Sequence, residues 1–295
     1  MKILVTGTEG QLARSLVERA SGLPGIDLVA VGRPDLDLEK PGSAATVVGS
    51  VRPDIVVNAA AYTAVDQAEE EPARARAINA EGPEELARAA ADVGAAIIQL
   101  STNYVFDGLA ARPYAEDAPT NPLGVYGATK LEGELRVAAA NPRHLIVRTA
   151  GVYSATGRNF IKSIVTAART QDRLRVVDDQ TVNPTSADDL ADGLLRIVER
   201  RTDSPALWGR IYHLAGGGST SWCGMAQEIM DQCARLGAAS ATVEPISTAE
   251  WPTPAKRPLN GTLNCDGVTS DFGVTLPDWR TSLVHVVEQI VSSAG

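Results

Sequence analysis

The 295-residue chain sets 27 Lys and Arg against 36 Asp and Glu, a formal charge of −9. That balance excludes a general nucleic-acid binder. It also requires any anionic ligand to meet a local basic cluster, for which Arg158, Lys162, Lys256 and Arg257 are the candidates. No apolar run approaches the roughly 18 residues of a membrane span. The first apolar run opens at residue 3 with no basic n-region before it, so neither a membrane partner nor a secretory signal is expected, and the expected compartment is the cytoplasm. Cys223, Cys233 and Cys265 lack metal-ligand spacing and His144, His213 and His285 are scattered, which argues for reduced thiols, no metal site and no serine–histidine triad. The length suits one large α/β domain with a smaller one appended.

In chain order, MKILVTGTEGQLARSLVERA reads as strand, tight turn and helix. Residues 3–5 are apolar, Gly7 and Gly10 interrupt, and Leu12, Leu16 and Val17 recur at helical spacing. Gly7 permits the turn, and Gly10 lets backbone approach a diphosphate that the helix N-terminus favours. Ala13 stands where a third glycine is expected. A second strand, residues 28–31, ends in Gly32 and Arg33. A carboxylate there would hold a ribose 2′-hydroxyl, whereas a guanidinium accommodates a 2′-phosphate. This favours NADPH, with Asp35 able to serve the ribose and NADH left open. Asp37 and Leu38 follow where an adenine would lie. Residues 54–57 form a third strand that runs into Asn58, Ala59, Ala60 and Ala61. A helical stretch spans about 72–93, and a fourth strand, 96–100, carries Ser101 and Thr102 at its carboxyl end. Open parallel sheets bind ligands outside those carboxyl ends, so Gly7, Asn58, Thr102 and the next helix converge on one edge. That helix holds VYGATKLEGE, in which Tyr126 and Lys130 at i and i+4 share a face. A cation beside a phenol lowers its ordinary pKa of about 10, so Lys130 is expected to bring Tyr126 toward neutrality as a proton donor. Organisation changes after Val152 and Tyr153. A helix is expected over about 157–169, a strand at 174–177, a helix over 188–199, and beyond Trp208 short strands around a helix at 225–236.

The segments GTEGQLA, VVNAAAYTAVDQAE, QLSTNYVFDG, VYGATKLEGE, VRTAGVYSATGRNF, VVDDQTVNPT, YHLAGGG and WPTPAKRPLN resemble the extended short-chain dehydrogenase/reductase family. Within it they are most similar to the dTDP-4-dehydrorhamnose reductase group, with YTAVDQAE and PTPAKRP the more diagnostic stretches. The resemblance implies an α/β fold: a doubly wound, Rossmann-type parallel sheet with a smaller, interleaved α/β substrate lobe. Residues 1–152, rejoined by about 173–202, would bind NADPH. Residues of about 153–172 and 203–295 would bind the sugar nucleotide. It implies NADPH-dependent reduction of the C4 ketone of a nucleotide-linked 4-keto-6-deoxyhexose, dTDP-4-dehydrorhamnose to dTDP-L-rhamnose, by a monomer or homodimer. The alternatives are a 4-ketoreductase for another dTDP-deoxysugar and a non-catalytic regulatory subunit related to that of methionine adenosyltransferase.

By the same resemblance Tyr126 is the proton donor, Thr102 hydrogen-bonds the carbonyl, and Lys130 lowers the tyrosine pKa and holds the nicotinamide ribose. Gly7, Gly10, Gln11, Leu12, Arg33, Asp37, Leu38, Ala59, Ala60 and Ala61 would contact the cofactor. Thr63, Val65, Asn103, Tyr104, Gly151, Asn159, Lys162 and Arg257 would contact the sugar nucleotide. Three positions depart from the pattern. Asn103 replaces an aspartate and Gly151 a tryptophan, which would alter the sugar pocket, either opening it to bulkier sugars or leaving it refilled by a neighbour. Ser15 replaces an acidic residue that in some members helps bind magnesium between subunits, which counts against that ion although Asp188 could keep part of the site.

Overall fold

Alternation along the first strand shows how the sheet is covered. In β1 (Lys2–Thr6), Ile3 and Val5 face one apolar cluster while Leu4 faces another. A strand buried on both faces needs helices on both sides. The computed structural model describes residues 1–201 and 205–293, so the domain boundary expected near 202–203 lies outside the described residues. With β2 (Asp27–Val31), β3 (Ile55–Asn58), β4 (Ala96–Thr102) and β5 (His144–Thr149), the sheet has the order Arg210–His213, β5, β4, β3, β1, β2, and every pairing is parallel. Helices Gln11–Ala20 and Ala187–Arg201 cover one face through Leu16, Leu190 and Leu194. Helices Ser43–Val51, Gly82–Asp92 and Val125–Ala140 cover the other through Val48, Leu86 and Val137. This is the doubly wound α/β class.

A separate apolar cluster joins Ile161, Leu174, Met225, Ile229, Trp279 and Leu283. It is built from helices Phe160–Ala167, Trp222–Arg235 and Trp279–Ser292 over the parallel pair Arg173–Val177 and Thr242–Ile246. Two segments therefore lie differently from expectation. Arg173–Val177 pairs within this cluster rather than rejoining the sheet, and Arg210–His213 forms the sheet edge. Neither switch is visible in hydrophobic pattern, because both are short apolar strands whose partners are remote in sequence.

The expected single helix over 72–93 is three pieces: Pro72–Arg76, a π turn at Ala77–Glu81, and Gly82–Asp92. The wide turn aims Asn79 at the loop after β3. Its Oδ1 accepts from Tyr62 N at 2.8 Å, and its Nδ2 donates to Tyr62 O and to Thr129 Oγ1, both at 3.2 Å. Gly133 lets the Tyr126 helix approach this turn, since a Cβ there would lie 2.0 Å from Asn79 O. Loop and helix are thereby locked together on the edge where the site forms.

Candidate active site

A cavity of about 1170 Å³ runs along the carboxyl ends of β1–β5. One end of it is lined by Gly7, Gly10, Gln11, Leu12, Arg33, Asp37, Leu38, Ala59, Ala60 and Ala61, the residues expected to contact a cofactor. Gly7 turns the chain at φ +89°, and Gly10 precedes helix Gln11–Ala20 without any side-chain cap. A Cβ on Gly10 would meet nothing within 4 Å, and Gly10, Gln11, Leu12 and Ala13 line the cavity, so the helix begins at the open cleft. That is the arrangement a diphosphate fits. Arg33 is exposed on the wall and, among the described residues, has no carboxylate partner, whereas Asp35 is not on the wall. Asp37 accepts from Glu39 N at 3.2 Å and pairs with Lys40 at 3.5 Å. Asn58 does not reach the cavity. With 0% exposure it accepts from Thr6 Oγ1 at 2.5 Å and donates to Gln99 Oε1 at 2.7 Å. The same Thr6 hydroxyl accepts from Ala60 N at 3.0 Å, so Asn58 braces the alanine loop from beneath.

At the centre, Thr102 ends β4 and Tyr126 lies in the first turn of its helix, both on the cavity wall. Thr102 Oγ1 accepts from Tyr104 N at 3.2 Å, and the Tyr104 ring meets the Tyr126 ring edge-on at 5.5 Å and 78°. Lys130, 4% exposed, donates to Leu100 O at 2.6 Å. Burial pushes the Tyr126 phenol up to about 12, opposed by Thr102, and pushes Lys130 down to about 8, opposed by Glu134. The expected lowering of Tyr126 by Lys130 is therefore not what this structure holds. Burial governs the phenol, which keeps its proton across the physiological range and suits a proton donor.

The remaining half of the cavity presents Thr63, Val65, Asn103, Tyr104, Gly151 and Asn159. Asn103 Nδ2 donates to Gly261 O at 2.9 Å, a bond that the aspartate of the family pattern could not make. Asn159 caps helix Phe160–Ala167, accepting from Lys162 N at 3.1 Å, and donates to Gln11 Oε1 at 3.0 Å. That bond ties the helix to the start of helix Gln11–Ala20. Lys162 and Arg257 are not on the cavity wall, nor is Lys256; of the four basic candidates only Arg158 is. Lys162 lies part-way along a helix whose capping residue, not its lysine, faces inward. Arg257 is drawn away by Asp66, at 2.7 Å. Gly151 has φ +54°, and a Cβ on it would lie 3.1 Å from Val182 Cγ2, 3.2 Å from Asn183 O and 3.3 Å from Pro184 Cα. The direction a side chain would take is already filled, which fits the refilled pocket rather than the opened one. Ser15 Oγ donates to Asp188 Oδ1 at 2.6 Å, and within one chain the described residues gather no group of three His, Cys, Asp or Glu able to hold a metal.

Residues 1–292 match the family described as RmlD substrate binding domain. The chain belongs to that family. It is 44% identical over 288 residues to the dTDP-4-dehydrorhamnose reductase of Sinorhizobium fredii, covering 97% of each chain. It is 37% identical to that of Escherichia coli K12 over the whole of both. Among solved structures, the dTDP-4-dehydrorhamnose reductase of Clostridium acetobutylicum superposes with a TM-score of 0.91 at 38% identity, covering 98% of this chain and 99% of the other. The Bacillus anthracis protein of the same name, in complex with NADP, gives 0.89 at 31% identity with the same coverage.

Several residues of this RmlD-family cavity escape sequence reasoning. Phe160 and Trp222 line it with ring centroids 4.8 Å apart, although 62 positions separate them. Beneath Lys130, the buried Glu134 accepts from Ser101 Oγ and holds Arg148 through two contacts, at 2.7 and 2.9 Å. The spacing of Glu134, four residues after Lys130 in KLEGE, was the one available signal.

Proposed function

We propose that this chain is an NADPH-dependent reductase of the C4 ketone of a nucleotide-linked 4-keto-6-deoxyhexose, converting dTDP-4-dehydrorhamnose to dTDP-L-rhamnose in the cytoplasm as a monomer or homodimer. The carrying observation is that Thr102, Tyr126 and Lys130 share one wall of a cleft whose other end fits a dinucleotide. The relatives' shared name and the NADP complex of the Bacillus anthracis protein support the same reading. Bound NADPH would supply the hydride that reduces the carbonyl carbon. Tyr126 gives its proton to the carbonyl oxygen, completing the alcohol, and Thr102 donates a hydrogen bond that shares the charge developing there. Lys130 places a positive charge on the same helix face. Arg33 receives the 2′-phosphate, and the uncapped N-terminus of helix Gln11–Ala20 receives the diphosphate. The sheet and its covering helices hold the cofactor, and the cluster around Trp279 holds the sugar nucleotide. Among the described residues no helix is long and apolar enough to cross a membrane.

The test is NADPH oxidation by the purified protein with dTDP-4-dehydrorhamnose, with product identified as dTDP-L-rhamnose. Tyr126→Phe is expected to lose about 10²–10⁴-fold in kcat, the usual contribution of a general acid, while still binding NADPH. Absence of wild-type turnover across a panel of dTDP-4-keto sugars, with NADPH binding intact, would favour the regulatory-subunit alternative.

A further inference from the structure

The segments YTAVDQAE and PTPAKRP meet in one ion pair between residues 191 positions apart. Arg257 grips Asp66 with both nitrogens of its fork, Nη2 to Oδ2 at 2.7 Å and Nη1 to Oδ1 at 3.1 Å, while Ala255 N donates to Asp66 Oδ1 at 3.2 Å. The guanidinium also acts on the Tyr104 phenol, opposing the rise in its pKa that burial causes. Tyr104 in turn sets its ring edge on Tyr126 and its N–H on Thr102. Asp66 lies in the short helix Val65–Glu70, whose Glu69 accepts from Val125 N at 2.8 Å in the first turn of the Tyr126 helix. Two routes thus run from the Asp66–Arg257 pair to Tyr126, one through Tyr104 and one through Glu69.

We propose that Arg257 and Asp66 are positioning residues, a latch that holds Tyr104 against Tyr126 and so fixes the phenol beside Thr102. The inference rests on the reading of Tyr126 as proton donor. A phosphate-binding role for Arg257 fits less well, because its fork is already taken by a carboxylate and it lies off the cavity wall. Stability alone is also a weak reason for the pair. Its side chains are 21% and 41% exposed, and ion pairs open to solvent contribute about 0–1 kcal/mol. Alignment matters more, since a misplacement of about 1 Å can lower a rate by about 10²-fold.

Arg257→Lys keeps the charge but loses the bidentate fork. It is expected to lower kcat for keto-sugar reduction about 10-fold or more, with the NADPH Kd and the sugar-nucleotide KM within about 2-fold of wild type. Asp66→Asn should do the same, and the double variant should be no worse than either single one, as for two members of one device. A raised KM at unchanged kcat would make Arg257 a substrate ligand. A lowered Tm at unchanged kcat would make the pair merely structural. Either result overturns the latch. A second readout is independent of turnover: tyrosine ζ-carbon NMR resonances, with Tyr104 and Tyr126 assigned by their phenylalanine variants. Arg257→Lys should move both and leave Tyr212 in place; an unmoved Tyr126 resonance overturns the latch. If the wild type reduces no keto sugar, the proposed function fails while the resonances still decide the latch.

Discussion

Lys130→Met should separate stability from activity. The ammonium is 4% exposed, and burial lowers its pKa from an ordinary 10.5 to about 8. At about 1.4 kcal/mol per pH unit, keeping the charge folded at pH 7 costs about 3 kcal/mol. Methionine has similar length and no charge, and it packs adaptably. Leu100 O, which accepts from Lys130, is not orphaned by the change because Gln99 Nε2 donates to it at 2.9 Å. Glu134 keeps Arg148 and Ser101. The variant is therefore expected to be about 2–3 kcal/mol more stable than wild type at pH 7 while losing turnover. Between pH 8 and 10.5 the unfolded lysine holds a proton that the folded one has released, so wild-type stability rises with pH there. The advantage of the variant should shrink by about 2 kcal/mol between pH 7 and 9.5. Urea unfolding of both proteins at the two pH values measures this. A variant less stable at pH 7, or a gap that does not change with pH, would refute the reasoning.

In the wild type, kcat/KM reports groups of the free enzyme. It should fall above pH about 8 as Lys130 loses its charge, well before Tyr126 ionises near 12; a profile flat to pH 10 would remove Lys130 from the reaction. Arg33→Ala should weaken NADPH binding by roughly 10- to 100-fold and leave NADH nearly unchanged, because a hydrogen bond to a charged group contributes about 1.5–3 kcal/mol. Equal loss for both cofactors, measured by titration, would assign Arg33 elsewhere. Gly151→Ala should cost about 1–3 kcal/mol, since any side chain there meets both φ +54° and contacts of 3.1–3.3 Å. Unfolding midpoints check it, and an unchanged midpoint would show that the 182–184 segment yields freely and that the pocket can accommodate a larger group.

How far the sequence could be read depended on whether the signal was local. Strands β1–β4 are short apolar runs ending in small or polar residues, and the glycine turn and the Tyr126–Lys130 spacing lie within single elements, so these were legible; β5 (His144–Thr149) was not assigned, although its run is equally apolar. The helix Ser43–Val51 was not: AATVVGSV offers no charged face to mark a helical period. The π turn at Ala77–Glu81 was not, because one residue of slack in a helix leaves the composition unchanged. Asn58 shows a subtler limit. Read along the chain it precedes the cavity-lining alanines and reads as one of their set. Its real neighbours are Thr6 and Gln99, from strands on either side of β3, and these appear only once the strand order is known.

The same limit explains the basic residues. Residue type told us that Arg158, Lys162, Lys256 and Arg257 carry charge, but whether a cation meets a ligand depends on which carboxylate reaches it first. Asp66, 191 positions away, claims Arg257. Arg158 has no carboxylate partner among the described residues and remains on the cavity wall. A chain of net charge −9 can thus bind an anionic sugar nucleotide with few cations, provided those facing the cavity are the ones its own acids leave unpaired. Arg33 meets that condition beside the glycine turn and Arg158 meets it near Asn159, so among the described residues these two exposed arginines stand on the wall where two anionic ligands would have to lie together.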